Sequence, residues 1–182
     1  GPWLRSLLES TPTIPPSVGG FRLMGRIGAG GFGVVYKAWD DQLERFVAIK
    51  MPRRDKAEAL DAELYLKEAR FLARLDHAGI VPVYFMDQTA DGQIYVVSKF
   101  IEGGDLEHTL RRGRYGPREA VRLVARVALA LDYAHQNGFV HRDIKPSNIM
   151  LGPDREPILV DFGLALRTTE FGTGPQWIGT PK

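Results

Sequence analysis

An acid, a base and an amide lie close together in the polar stretch HRDIKPSN, as Asp143, Lys145 and Asn148. Side chains of these types can accept a proton, neutralise an anion and bind a cation. Short apolar runs, 139–140 and 149–151, lie on either side of the stretch. A polar loop between short strands is a common place for reactive groups, because the strands hold the loop in position. The stretch is therefore the first candidate for a site of chemistry.

A second acid, Asp161, begins the tripeptide Asp-Phe-Gly and directly follows the apolar run 158–160. The turn signal Gly-Pro-Asp at 152–154 precedes that run, so residues 149–160 are predicted to form a β-hairpin. Because the outer ends of an antiparallel hairpin lie side by side, Asn148 and Asp161 are expected to meet. Amide and carboxylate oxygens suit Mg²⁺, especially when phosphates complete its coordination. The sequence therefore predicts a magnesium site at the open end of this hairpin.

A glycine-rich segment, GAGGFG at 28–33, lies between two strand-like runs, 21–24 and 34–38. Glycine lets backbone N–H groups approach phosphate oxygens, because no Cβ atom stands in the way. The same spacing occurs in dinucleotide-dependent oxidoreductases, where a helix follows the last glycine. Here the β-branched Val34 and Val35 follow it, which favours a hairpin over bound phosphates. A plain glycine-rich turn and the oxidoreductase fold are the less favoured alternatives.

These three motifs, in this order, resemble the phosphate-binding, catalytic and metal-binding loops of eukaryotic-type (Hanks-type) Ser/Thr protein kinases of the bacterial kind. The resemblance covers roughly residues 21–181. It implies an α+β, two-lobed protein-kinase fold, in which an antiparallel N-lobe sheet with one long helix precedes a mainly helical C-lobe. The sequence ends within what would be the activation segment, so the resemblance implies an incomplete C-lobe.

Three segments follow from the resemblance. Residues 1–20 are expected to be a linker or N-terminal extension, 21–101 the N-lobe, and 102–182 a partial C-lobe with the catalytic loop and the start of the activation segment. Residues 117–136 are predicted to form a mostly buried helix that supports the catalytic loop and is capped by 137–138. Without the later helices of the family, part of its apolar surface is expected to stay uncovered, so the chain could self-associate.

Lys50 ends a further apolar strand, 47–50, where a lysine by itself is usually a solvated charge. A helix is predicted over roughly 56–75, and Glu68 lies on its apolar stripe. A buried carboxylate needs a cationic partner, whereas Glu63 points elsewhere around the helix. Glu68 is therefore predicted to form an ion pair with Lys50, a lysine that the resemblance assigns to the α- and β-phosphates of ATP.

The resemblance implies transfer of the γ-phosphoryl group of Mg-ATP to a Ser or Thr hydroxyl of a protein substrate. Asp143 would accept the hydroxyl proton and Lys145 would steady the γ-phosphate. Asn148 and Asp161 would hold Mg²⁺, with Lys50 and Asp161 at opposite sides of the phosphate site. The residues that the resemblance assigns to nucleotide contact are Gly28, Ala29, Gly30, Gly31, Phe32, Gly33, Val35, Ala48, Lys50, Lys99, Ile101, Asp105 and Met150.

Two residues near the site have structural alternatives. Asp105 resembles the acid that hydrogen-bonds the ribose in the family, but it could equally be the N-cap of a helix over 106–112. His141 is expected to be a packed core histidine rather than an acid–base group.

The rival interpretation is a catalytically incompetent kinase piece or pseudokinase-like module that binds only nucleotide or a partner. None of the expected motifs is degenerate, but the incomplete C-lobe favours this rival. A net charge of +2 gives no case for nucleic-acid binding, and no apolar run approaches the ~18 residues of a membrane span. The absence of cysteine fits a reducing compartment, and a cytoplasmic location is expected.

Overall fold

The computed structural model describes residues 17–30, 33–52, 73–113, 115–162 and 166–167. The strands are β1 (Ser17–Val18), β2 (Phe21–Gly30), β3 (Gly33–Asp40), β4 (Arg45–Pro52), β5 (Val83–Gln88), β6 (Ile94–Lys99), β7 (Phe139–Val140), β8 (Ile149–Leu151), β9 (Pro157–Leu159) and β10 (Leu166–Arg167). Between β6 and β7 lie the helices α1 (Leu106–Arg112) and α2 (Pro117–Gln136), and a 3₁₀ turn covers Pro146–Asn148.

The first six strands form one antiparallel sheet in the order β1-β2-β3-β4-β6-β5. Alternate residues of β4 face its core, where Val47 and Ile49 are fully buried. Val97 of β6 lies opposite Ile49 and is buried in the same cluster. A strand that buries one face must alternate in this way, because successive side chains point to opposite sides. The antiparallel sheet expected for the first part of the chain is therefore present.

β2 and β3 form a hairpin around the glycine-rich segment, with Gly30 opposite Gly33. A strand rather than a helix begins at Gly33, which excludes the dinucleotide-fold alternative. Gly33 has a φ of 152°, and a Cβ atom at this position would lie 2.2 Å from the Met51 carbonyl oxygen. Only glycine fits there. Gly31 and Phe32 lie outside the described residues.

The helix predicted over 56–75 lies mostly outside the described residues, and Glu68 lies outside them as well. Its predicted last positions, 73–75, are a turn and irregular chain, so this end of the prediction is wrong. The reason is tertiary: Leu75 is buried in a second core, and the Asp76 N–H donates to the Tyr133 hydroxyl of α2 at 3.3 Å. These contacts hold residues 75 and 76 in an irregular conformation.

β8 and β9 form the hairpin that the turn signal predicted. A preceding segment of the chain pairs with one edge of this hairpin. The Leu159 N–H donates to the Gly79 carbonyl at 2.8 Å, and the Leu159 carbonyl accepts from the Val81 N–H at 2.9 Å. Because Val81 lies just before β5, these two bonds fix the hairpin relative to the sheet.

The other edge of the hairpin is held by the chain that enters α1. The Leu151 N–H donates to the Gly104 carbonyl at 2.9 Å. A Cβ atom on Gly103 would lie 1.9 Å from the Leu151 carbonyl oxygen, so this close approach of two backbones requires glycine. The hairpin is thus clamped on both edges by main-chain contacts.

α2 has the predicted bounds, because its end signals are local. Pro117 occupies the first helical position, and the Glu119 carboxylate accepts from the Gly116 N–H at 3.2 Å. At the other end, the Gly138 N–H donates to the His135 carbonyl at 2.9 Å, and Gly138 has a φ of 83°. None of the helices in the described ranges has the length and apolar character needed to cross a bilayer.

The expectation that α2 is mostly buried is wrong. Its fully buried residues are Ala130 and Ala134, which pack in the core around the β8–β9 hairpin. Three large apolar residues are instead exposed to 70%, 63% and 61%: Val121, Val124 and Leu129. One face of the helix packs against the described chain while the others project away from it. The further expectation that α2 exposes apolar side chains is confirmed.

We expect the exposed face of α2 to promote self-association, because burial of apolar surface between two copies is favourable. The double variant Val121→Ser/Val124→Ser should shift the sedimentation profile toward monomer without lowering the free energy of unfolding. Val127→Ser is the matched control, because Val127 packs against the core. It should lower the free energy of unfolding by about 1–2 kcal/mol and leave association unchanged. Association that is unaffected by the double variant would contradict the role of this face.

Candidate functional site

The loop between β7 and β8 brings Asp143, Lys145 and Asn148 into one network. Pro146 starts the 3₁₀ turn, and the Asn148 N–H donates to the Lys145 carbonyl at 2.9 Å. The Asn148 side-chain nitrogen donates to the Asp143 carbonyl at 2.8 Å and to its Oδ2 at 3.0 Å. Lys145 Nζ lies 2.8 Å from the same Oδ2. The Asp143 carboxylate is therefore oriented by an amide and paired with a cation.

His141 joins this loop to the chain after β9. It is 1% exposed, and its Nε2 lies 2.9 Å from the Val160 carbonyl, which can only accept. Nε2 therefore carries a proton, and Nδ1 accepts from the Asp143 N–H at 3.4 Å. The ring also packs 4.5 Å from the ring of Phe162. The expectation of a packed histidine is confirmed.

Burial lowers the pKa of His141 below its ordinary value. The hydrogen bond to Val160 and the charges of Asp161 and Asp143 oppose this shift without reversing it. A neutral imidazole suits its contacts, since a second ring proton would face the Asp143 N–H. His141 is therefore a neutral residue that connects the loop containing Asp143 to the segment containing Val160 and Asp161.

The open end of the hairpin brings the two predicted metal-binding segments together. The Val160 N–H donates to the Asn148 carbonyl at 3.0 Å, so Asn148, just before β8, lies beside the chain that leads from β9 to Asp161. Asp161 has a φ of 68°, which is uncommon for a residue with a Cβ atom. Backbone strain of this kind is concentrated at functional sites.

Lys50 of β4 forms an ion pair with the Oδ1 atom of Asp161. Both side chains are largely enclosed, at 18% and 31% exposure. The expectation that Lys50 and Asp161 lie at opposite sides of the site is wrong, because the clamped hairpin carries Asp161 up to β4. The predicted pair between Lys50 and Glu68 lies outside the described residues. No local sequence signal could have revealed the Lys50–Asp161 contact.

Several residues assigned to nucleotide contact lie in a row across the sheet. Gly28 of β2 is opposite Val35 of β3, and Val35 is opposite Lys50 of β4. The row therefore leads from the glycine-rich hairpin to the lysine that holds Asp161. Ala48 lies two residues before Lys50, on the same side of β4.

The other residues of that set belong to the end of β6, to the chain that follows it, to β8 and to the end of β2. Lys99 ends β6 with an exposed side chain, and Ile101 is buried just after it. Met150 lies in β8 and forms a backbone bridge with Asp105. Gly30 and Ala29 belong to the end of β2.

Asp105 is the N-cap of α1. Its backbone is extended, at φ −77° and ψ 162°, and its Oδ1 accepts from the His108 N–H at 2.6 Å. The N-cap alternative left open by the sequence is therefore confirmed. A contact between Asp105 and a ribose stays a prediction.

The available oxygen donors fit a divalent cation that arrives with phosphates. Within the described ranges, no three His, Cys, Asp or Glu side chains form a ready metal cage. The side-chain nitrogen of Asn148 donates to Asp143, so its side-chain oxygen is the atom that can bind a cation. Asp161 can contribute its carboxylate. Mg²⁺ is commonly held by one or two carboxylates, with substrate phosphates and water completing the shell. The chemistry of this site therefore suits Mg²⁺ bound together with a nucleotide.

Comparison with known proteins gives consistent matches. A family model described as protein kinase domain matches residues 21–182. The serine/threonine-protein kinase PknJ of Mycobacterium tuberculosis is 40% identical over 158 residues, and PknE of the same organism is 41% identical over 154. The crystal structure of the M. tuberculosis PknI kinase domain matches with a TM-score of 0.72 and 30% identity. These matches confirm the two-lobed α+β fold expected from the sequence.

The matches cover most of this chain but only part of its relatives. They include 84% of the chain and 27% of PknJ or PknE. The match to the PknI kinase domain includes 84% of this chain and 64% of that one. The chain therefore spans about a quarter of the length of these curated relatives and less than two thirds of the solved kinase domain.

We expect the free energy of unfolding to decrease as the pH is lowered below about 6.5, because of His141. The folded-state pKa is lowered, so the unfolded chain binds a proton that the folded chain excludes. The resulting stabilisation is present above the unfolded pKa and is lost as pH falls toward the folded pKa. Urea unfolding from about pH 7.5 to 5.5 should show a loss of at most about 1.4 kcal/mol per pH unit from this group. The slope should be smaller in His141→Gln and unchanged in His108→Gln, an exposed control; equal slopes in all three proteins would contradict the assignment.

We expect Asp105→Ala to lower the free energy of unfolding by about 1 kcal/mol, because the N-cap bond to His108 is lost. Asp105→Asn should keep most of the stability, since asparagine caps helices well. Thermal unfolding measures this difference. If Asp105 also contacts a ribose, Asp105→Asn should weaken ATP binding while leaving stability intact. If Asp105→Ala has the same free energy of unfolding as the wild type, the cap does not contribute to stability.

Proposed function

We propose that this chain, which belongs to the protein kinase family, carries the nucleotide-binding and phosphoryl-transfer machinery of a Ser/Thr protein kinase. The family in general uses ATP, a divalent metal ion and protein substrates. The finer proposal is that Mg-ATP donates its γ-phosphoryl group to a Ser or Thr hydroxyl of another protein. We also propose that the chain divides into an N-lobe at 21–101 and a partial C-lobe at 102–182. The six-stranded sheet lies before this boundary and the two helices lie after it.

The observation that carries the proposal is the meeting of two lysine–carboxylate pairs at one end of the β8–β9 hairpin. Lys50 pairs with Asp161 and Lys145 pairs with Asp143. The Asn148 side chain bonds Asp143, and its carbonyl accepts from the residue before Asp161. Two acids, two cations and an amide in one place suit a reaction that moves a highly charged phosphoryl group. Such catalysis depends mainly on positioning and charge neutralisation.

Asp143 is the proposed acceptor of the substrate proton. As the hydroxyl oxygen bonds to the γ-phosphorus, the bond from that phosphorus to the β–γ bridging oxygen breaks and ADP leaves. The hydroxyl proton passes to the Asp143 carboxylate, which Asn148 holds in orientation. Lys145, 2.8 Å from that carboxylate, would neutralise charge on the transferred group.

Lys50, Asn148 and Asp161 are the proposed residues for the phosphates and the metal ion. Lys50 would neutralise the α- and β-phosphates, and Mg²⁺ would be held by the Asn148 side-chain oxygen and the Asp161 carboxylate. When bound, the ion supplies positive charge to the oxygens of the transferred and leaving groups. The row from Gly28 through Val35 would lie along the nucleotide, because it ends at Lys50.

A second candidate is a module that binds nucleotide or a partner without transfer. The observation that favours it is the exposed apolar face of α2, which carries Val121, Val124 and Leu129. Nucleotide binding needs only the nucleotide site, whereas phosphate transfer to a protein also requires the acceptor hydroxyl to be held in line with the γ-phosphate. Mg-dependent ATP binding and transfer, measured on this chain and on one extended to the length of the solved kinase domain, separates the two candidates. Binding without transfer in both would support the second.

We expect Lys50→Met and Asp161→Asn each to reduce phosphate transfer by about 10³-fold or more, because each removes a charge from the proposed phosphate and metal site. Transfer of labelled phosphate from ATP to a protein substrate measures the effect, on the extended chain. The matched control is Arg22→Met, which removes the cation of an exposed pair with Asp41 and should leave transfer unchanged. Near wild-type turnover in either site variant would overturn the assignment.

A further inference from the structure

The carboxylate assigned to the metal ion has a cationic partner within the chain itself. Lys50 Nζ contacts the Oδ1 atom of Asp161, which is one of the oxygens a cation would need. The pair is largely enclosed, at 18% and 31% side-chain exposure, whereas the surface pair Arg22–Asp41 is 58% and 59% exposed. Because solvent screens enclosed charges less, Lys50 repels a second cation more effectively than a surface residue does.

The second acid of the site has the same arrangement. Lys145 Nζ lies 2.8 Å from Asp143 Oδ2, which also accepts from Asn148. Together with the lack of a three-residue metal cage in the described ranges, this makes the site a poor one for a free cation. Phosphate oxygens would change the balance, since they offer lysine another anion and the metal ion additional ligands.

Building on the proposed function, we infer that Lys50 is an electrostatic lock on metal binding, which keeps free divalent cations from Asp161 until nucleotide phosphates draw Lys50 away. The coupling is reciprocal: phosphates that take Lys50 release the carboxylate for the metal ion, and a metal ion on Asp161 releases Lys50 for the phosphates. Lys50 is thus a positioning residue for the metal ion, in addition to its proposed contact with phosphates. The lock explains why cation and nucleotide would bind together.

A purely structural role for the Lys50–Asp161 pair makes a different prediction. If the pair only tethers the hairpin to β4, its removal would make Asp161 more mobile. The affinity of Asp161 for a cation would then stay the same or become weaker. A lock predicts the opposite sign, because removal of the lysine charge frees the carboxylate. The direction of the change in cation affinity therefore separates the two roles.

The experiment measures binding of Mn²⁺ alone, by electron paramagnetic resonance of the free ion, to nucleotide-free protein. Lys50→Met should bind Mn²⁺ about tenfold more tightly than the wild type, or better, because a repelling charge is gone. Lys50→Arg retains the charge and should bind Mn²⁺ with the affinity of the wild type. Lys50→Met/Asp161→Asn should lose the gain, which shows that the ion binds at Asp161. Arg22→Met, which breaks the surface pair, should stay within about twofold of the wild type.

An affinity for Mn²⁺ in Lys50→Met that is equal to or weaker than that of the wild type overturns the lock. So does a gain that persists in the double variant or that Arg22→Met reproduces, since each would place the effect elsewhere. Circular dichroism of every variant establishes that the fold is kept, and Lys50→Arg provides the test if Lys50→Met unfolds: tighter Mn²⁺ binding by Lys50→Arg would contradict the lock. Failure of the lock leaves the proposed function intact as long as Asp161→Asn still abolishes transfer.

Discussion

Main-chain hydrogen bonds on both edges of the β8–β9 hairpin determine how the rest of this structure is arranged. Leu159 bonds to Gly79 and Val81 on one side, and Leu151 bonds to Gly104 on the other. Backbone groups buried in a core must find such partners, so the hairpin cannot shift without losing them. Because the segment after Val81 continues into the sheet, the hairpin holds Asp161 within reach of β4. The geometry of the site is therefore a consequence of backbone pairing.

The charges of the site are arranged so that each acid is paired with a lysine. Asp143 and Asp161 each have a lysine partner, whereas the histidine between their segments is kept neutral by burial. A protonated His141 would add a third cation to the site without a dedicated anion. Its neutral ring instead connects Val160, Phe162 and the Asp143 backbone by hydrogen bonding and packing. The positive charge of the site thus comes from Lys50 and Lys145, whose side chains are long and flexible.

The helix α2 shows how one element can serve a core and still present an apolar surface. Its small residues, Ala130 and Ala134, let it approach the hairpin closely. Its larger residues at Val121 and Val124 point away from that contact. Small residues on a packed face allow the helix axis to lie near its neighbour, so α2 supports the loop that follows β7.

Local signals in the sequence determined the elements, while only the tertiary structure decided which side chains meet. The hairpin at 149–160 and the bounds of α2 were predictable, because turn and cap residues act over a few positions. The placement of Asp143, Lys145 and Asn148 on one loop was predictable because they are close in the sequence, whereas the contacts among their side chains were not predicted. The contact between Lys50 and Asp161 joins residues 111 positions apart, and it depends on the clamped hairpin. Exposure of α2 likewise could not be read from its apolar pattern, because a pattern gives the faces of a helix and only packing decides which of them is covered.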